Sequence, residues 1–222
     1  MIYGIVGAGG KTGLVKEMAA RFRQEGKSVF VTTTTHMFIE EDTLLTEDAA
    51  RIIDALRKNG YVFAGIPEGP KIKALPASVY AEVCEAADVV LVEADGSKHL
   101  PLKYPSAAEP VIPDNADEIM VVCGLQGLGK PAKEVCHRLE LVKQHLHITD
   151  DTLITPDHVY RLVMEGYVKP LREKYPGMKV TVVPRHDGSL YQRTIAAKLT
   201  EEQDPGVHQG NTGFYDFLIR KS

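Results

Sequence analysis

The chain has no tryptophan, only three cysteines and only 7% aromatic residues. Cys84, Cys123 and Cys136 are widely spaced, form no C-x-x-C pair and stand partly in apolar surroundings. Neither a disulfide framework nor a zinc knuckle is therefore expected. No stretch approaches the roughly 18 consecutive apolar residues of a membrane span. Met1-Ile-Tyr-Gly-Ile-Val reaches Gly7 without a basic leader or a cleavage site, so the expectation is a cytoplasmic protein with no membrane partner. Charge is equally unremarkable: Lys plus Arg 26 against Asp plus Glu 30 leaves a formal net charge of −4. A sequence-independent grip on nucleic acid is not expected of such a surface.

What remains is ordinary globular material, 222 residues with 44% hydrophobic and 25% charged. Short apolar runs alternate with amphipathic stretches, the signature of an α/β fold with a mostly parallel sheet and helices on both faces. Strands are expected at 2–6, 28–32, 61–64, 88–93, 118–123 and 179–183. Helices are expected at 12–24, 47–58, 76–86, 133–144, 156–165 and 189–199, with Thr155-Pro156 as an N-cap followed by proline. One α/β domain over residues 1–200 and a polar tail over 201–222 complete the expected organisation, the tail carrying a Phe214 to Ile219 segment. The stretch from Gly96 to Asn115 holds four prolines and reads as a long irregular loop.

The first strand-to-helix junction carries Gly7-Ala8-Gly9-Gly10-Lys11-Thr12-Gly13, a G-x-x-G-K-[ST] pattern two residues shorter than the usual phosphate loop. Glycines let backbone N–H groups turn around a phosphate, and the helix N-terminus adds partial positive charge. Lys11 would neutralise the outer phosphates, while Thr12 offers a hydroxyl to Mg²⁺. A second loop, Gly124-Leu-Gln-Gly127-Leu-Gly129-Lys130-Pro131, has full-length spacing up to its lysine. Pro131 spoils it as a phosphate loop, lacking both hydroxyl and N–H, which leaves Gly127 and Lys130 as candidates on the substrate side.

The strand 88–93 ends in Glu93-Ala94-Asp95-Gly96, where residues i and i+2 project to one side. Such a pair can hold a metal or orient an attacking nucleophile, Glu93 as a ligand and Asp95 as a second ligand or as the catalytic group that orients the nucleophile. Thr32 to Thr35 and His36 form a hydroxyl-rich strand tip expected beside the first strand. Thr33 and Thr34 would approach the terminal phosphate, and His36 would donate to it or shuttle a proton. In the proline-rich loop, Lys98, Lys103 and Glu109 are candidates for an anionic second substrate.

Read in order, Gly9-Gly10-Lys11-Thr12, Thr32 to His36, Glu93-Ala-Asp-Gly96, Pro101-Leu-Lys103, Glu109-Pro-Val-Ile-Pro113 and Leu128-Gly-Lys-Pro131 resemble the YqeC family. Those proteins are described as accessory proteins of selenium-dependent molybdenum hydroxylases. The resemblance implies a cytoplasmic maturation factor whose partners are a molybdopterin-type cofactor and a molybdenum hydroxylase. The short loop is also similar to that of Mur ligases and folylpolyglutamate synthases. The expectation is a P-loop NTPase-like protein that binds ATP or GTP with Mg²⁺ for phosphoryl or nucleotidyl transfer or coupled hydrolysis. A non-catalytic nucleotide-dependent adaptor and a dinucleotide-binding oxidoreductase are the alternatives. No N-K-x-D element selects guanine, so the base stays open.

Overall fold

The computed structural model describes residues 1–201. Its strands are β1 (Ile2–Gly7), β2 (Val29–Thr33), β3 (His36–Phe38), β4 (Thr43–Leu45), β5 (Tyr61–Glu68), β6 (Lys71–Lys73), β7 (Val89–Glu93), β8 (Leu102–Lys103), β9 (Glu118–Gly124), β10 (Cys136–His137) and β11 (Lys179–Arg185). The α-helices are α1 (Lys11–Gln24), α2 (Ala49–Asn59), α3 (Ala77–Ala86), α4 (Ala132–Val135), α5 (Leu139–Leu146), α6 (Pro156–Val163), α7 (Lys169–Lys174) and α8 (Leu190–Glu201). The fold is α/β with a large, mostly parallel sheet. Among the described residues no helix is long and apolar enough to cross a membrane. The polar tail expected over 201–222, with its Phe214 to Ile219 segment, lies outside the described residues but for the backbone of Glu201.

Two compact units interleave along the chain. The first comprises Met1–Ile5, Thr12–Gly96 and Pro110–Ile119. Here β7 pairs in parallel with β1 on one side and β2 on the other, and β2 pairs in parallel with β5. Every residue of β2 and β7 is buried, as a strand covered on both faces requires, which is why both read in the sequence as apolar runs. Helix α2 starts where the Asp48 side chain accepts from the Arg51 N–H. It lays Ile52 and Leu56 against Phe30, Val62 and Val90, each such burial contributing about 2 kcal/mol. The short strands β3 and β6 pair antiparallel, an extension of the sheet in segments where no separate strand was expected.

The second unit comprises Val6–Lys11, Ser97–Glu109 and the chain from Met120 to the end of the described residues. It contains β11 beside β9 and a separate parallel ladder, β8 with β10, in which Leu102 faces Cys136 and Lys103 faces His137. The helix expected over 133–144 is not continuous. It stops at Val135, Cys136 and His137 join β8, Arg138 turns left-handed (φ 58°), and a new helix starts at Leu139. A ladder between segments some thirty residues apart has overridden the local helical period. The helix expected over 156–165 begins as anticipated with Thr155 as N-cap and Pro156 in the first turn, and His158 adds a capping box that was not expected. It then widens into a π-helical turn, Met164–Val168, before α7, whose first turn carries Pro170 and so lacks one backbone donor.

Candidate functional site

Strand β1 ends at Gly7 and α1 opens at Lys11, so the reversal is confined to Ala8, Gly9 and Gly10. Gly9 has φ 80°, and a Cβ there would lie 2.5 Å from Gly124 Cα and 2.6 Å from the Pro101 carbonyl oxygen. No side chain fits. Gly10 has φ 125° and is exposed, with the Arg185 side chain nearest its missing Cβ. The Ala8 N–H donates to the Val122 carbonyl at 2.9 Å, which assigns that amide to the sheet. Lys11 arches back over the turn. Its Nζ donates to the Gly7 carbonyl at 2.7 Å and to Ser97 Oγ at 3.4 Å, and the residue is only 4% exposed. The first turn of α1 contains no acidic residue, so nothing on the helix offsets the positive end of its dipole. Thr12 is exposed and Gly13 half-buried in that turn.

In the first unit the expected threonine tip and acid pair come together. Thr33 stands opposite Glu93 in the ladder and donates its hydroxyl to the Glu93 carbonyl at 2.7 Å. The Thr34 N–H donates to that same carbonyl at 3.1 Å, and the Thr34 hydroxyl to the Val111 carbonyl at 2.6 Å. The tip was expected beside the first strand; it lies instead beside β7, because β2 takes β7 and β5 as its two neighbours. Glu93 is 8% exposed and Asp95 fully buried. His36 is placed apart from this group. It sits exposed on β3, with its Nε2 2.7 Å from Glu68 Oε2, and this hydrogen bond holds the Glu68 carboxyl below its usual range. Among the described residues no three His, Cys, Asp or Glu side chains form a ready-made metal cluster. The residues expected to serve a metal (Thr12, Glu93, Asp95) and the neighbouring Thr33 are all hard oxygen donors, the donor type that Mg²⁺ takes.

The second unit assembles most of the substrate-side candidates. Lys103, its side chain wholly buried, meets Glu109 at 2.6 Å, and Arg138 Nη2 reaches the same Glu109 oxygen at 3.0 Å. Gly127 packs on Leu102 and Pro101, where a Cβ would come within 2.9 Å of Leu102 Cδ1. Lys98 is exposed. Lys130 is exposed on a loop whose backbone is tied to Ile154. Ser97, His137 and Arg138 were not legible as site residues, because the expected helix over 133–144 placed the latter two mid-helix. Their one signal is the β-prone Val135-Cys136 that precedes them.

Partial burial first, then the positive charges of Lys103, Arg138 and Lys98, press the His137 pKa below its usual 6.5, with Glu109 partly opposing them. A histidine whose folded pKa lies below its unfolded value binds fewer protons folded than unfolded. Its contribution to stability is therefore complete above about pH 6.5 and shrinks as pH falls toward the folded pKa. Melting temperatures at pH 7.5 and 5.5 should accordingly diverge more in the wild type than in His137→Gln; equal losses in both would contradict this.

Comparison with known proteins agrees with the motif order. A family model described as YqeC protein matches residues 3–140. The chain is also 34% identical over 173 residues to "Uncharacterized protein YqeC" of Escherichia coli (strain K12), an alignment covering 72% of this chain and 64% of that relative. Buried strands, glycine turn and Glu109-centred cluster thus fall largely inside a shared sequence pattern, and the chain belongs to the YqeC family.

Proposed function

We propose that this protein binds a nucleoside triphosphate with Mg²⁺ in a P-loop-like manner and uses it as a cytoplasmic accessory factor in maturing selenium-dependent molybdenum hydroxylases. The observation that carries the reading is Lys11, a buried ammonium folded back over a glycine turn at the N-terminus of an acid-free first helical turn. Such a turn offers the backbone donors of Gly9, Gly10, Lys11, Thr12 and Gly13 to phosphate oxygens, and Lys11 would exchange the Gly7 carbonyl for the outer phosphates. Thr12 and Glu93 are assigned to the metal, which when bound would neutralise phosphate charge. Thr33 and Thr34 are assigned to the terminal phosphate, Asp95 to orienting the attacking group and His36 to proton transfer. Lys98, Lys103, Glu109, Gly127 and Lys130 are assigned to the second substrate, for which a molybdopterin-type cofactor is our candidate. Phosphoryl transfer, nucleotidyl transfer and coupled hydrolysis would each draw on these roles.

A dinucleotide reading is less well supported, because β2 ends in Thr33 where a ribose-binding acid would stand. The test is thermal unfolding with ATP, GTP, CTP and NAD, each with and without Mg²⁺. A triphosphate at about one hundred times its Kd should stabilise the native state by about 2.7 kcal/mol, and the gain should require Mg²⁺. Stabilisation by NAD without metal, and none by triphosphates, would defeat the reading.

A further inference from the structure

A cleft of about 620 Å³ opens in the first unit where β2, β5 and β7 begin, lined by the residues that precede them, Ser28, Gly60 and Asp88. It stands at the opposite end of α1 from Thr12 and falls within the size range of small-molecule sites. Three exposed cations line it: Arg23 from the last turn of α1, Lys27 just beyond that helix, and Arg57 from the last turn of α2. Of the other cations in this unit, Lys16 pairs with Glu40, Arg21 with Glu25 and Lys73 with Glu68. Among the described residues Arg23, Lys27 and Arg57 form no ion pair.

The usual duty of a cation at a helix C-terminus is to meet the last carbonyls and the negative end of the dipole. Here the backbone meets those carbonyls itself. The Gly26 and Lys27 N–H groups close α1 on the Arg23 and Phe22 carbonyls at 3.0 and 2.9 Å, and the Gly60 N–H closes α2 on the Leu56 carbonyl at 2.8 Å. Arg23 lies instead with its Cζ 5.3 Å from the Tyr61 ring centroid, a contact that steadies the guanidinium without using its N–H donors. The one acid in the lining is occupied on one side only. Asp88 Oδ2 accepts from the Ser28 N–H and hydroxyl, both at 2.8 Å, and these bonds hold the carboxyl below its usual range, with Lys27 assisting from farther off. Asp88 Oδ1 accepts no hydrogen bond among the described residues.

We propose that this cleft binds a phosphate ester that carries hydroxyl groups, with Arg23, Lys27 and Arg57 holding the phosphate and Asp88 Oδ1 accepting from a hydroxyl. Planar guanidinium forks match two oxygens of one phosphate. The fixed Asp88 carboxylate repels a polycarboxylate but can accept from a sugar hydroxyl, and the side-chain amides of Gln24 and Asn59, which also line the cleft, both donate and accept. The proposal is independent of the function given above and needs no triphosphate at Gly7 to Thr12.

Its test is an NMR titration of the full chain that follows the backbone amides of Gly26, Ser28 and Gly60, with ribose 5-phosphate, inorganic phosphate, ribose and succinate at matched ionic strength. Ribose 5-phosphate should shift these amides saturably and bind about tenfold more tightly than inorganic phosphate, while ribose and succinate should not saturate them. Arg57→Gln should raise the Kd for ribose 5-phosphate about tenfold, and Arg57→Lys, which keeps the charge and loses the fork, by less. Arg57 is exposed, so both variants should fold, and unchanged amide positions away from the cleft check that they do. No saturable shift, an equal response to succinate, ribose 5-phosphate no tighter than inorganic phosphate, or undiminished binding in both Arg23→Gln and Arg57→Gln would overturn the proposal. The response should persist in Lys11→Ala; its loss there would place the ligand at the glycine turn and overturn this site too. Retained triphosphate affinity in Lys11→Ala, by contrast, would defeat the function proposed above and leave the cleft standing.

Discussion

Lys11→Ala should weaken binding of Mg²⁺-triphosphate by roughly two to three orders of magnitude while leaving the protein folded. An ammonium about 4 Å from a phosphate oxygen gains about 4 kcal/mol at the effective dielectric of a partly exposed site, and each 1.4 kcal/mol is a tenfold change in affinity. Part of that gain is offset because Lys11 gives up its 2.7 Å bond to the Gly7 carbonyl, a neutral acceptor that competes weakly with a phosphate. Truncation also removes the buried stem of a residue only 4% exposed, so Lys11→Met, which restores the apolar volume without the charge, is the necessary companion. Calorimetric titration of both variants separates the effects. If charge is what matters, methionine binds as poorly as alanine although its melting temperature returns toward wild type. Wild-type affinity in either variant would mean that the glycine turn is only a turn, its glycines demanded by the close approach of Gly124 and Pro101 to Gly9.

That competing explanation for glycine bears on what the sequence could reveal. Strands β2 and β7 were legible because parallel strands buried on both faces cannot alternate; Val89 to Val92 reads as a core strand in any context. The lysine and glycines of the turn were legible because their chemistry is local, contained within a few consecutive residues. The same locality failed at Cys136 and His137. Their helical surroundings suggested a continuing helix, while the outcome was settled by Leu102 and Lys103, far away in the chain. The threonine tip shows the same limit. Its hydroxyls and acids were recognised, but which strand intervenes between β1 and β2 depends on crossover order, which no residue of Val29 to Thr33 encodes. Site residues supplied by such pairings, His137 and Arg138 above all, were invisible for that reason.

Glu109→Gln should destabilise the protein by about 3 kcal/mol, the low end of the range for breaking a buried ion pair by removing one partner. The side chain of Glu109 is 15% exposed and that of Lys103 wholly buried, so water can do little to replace the lost carboxylate. Arg138, at 3.0 Å from the same oxygen and one-third exposed, can recover solvent and should contribute less. For a chain of this size the loss corresponds to a fall in Tm of roughly 6–12 °C. The double variant Lys103→Met, Glu109→Gln should recover much of it, because a buried ion pair replaced by an apolar side chain of similar length removes the desolvation cost of both charges. A double-mutant cycle of urea midpoints at constant m then gives the coupling directly. Coupling below about 1 kcal/mol would make the pair equivalent to an exposed one and would contradict its burial. Strong coupling combined with full recovery in the double variant would show that this ion pair is kept at a cost the fold alone does not require, the condition expected of charges retained for a ligand.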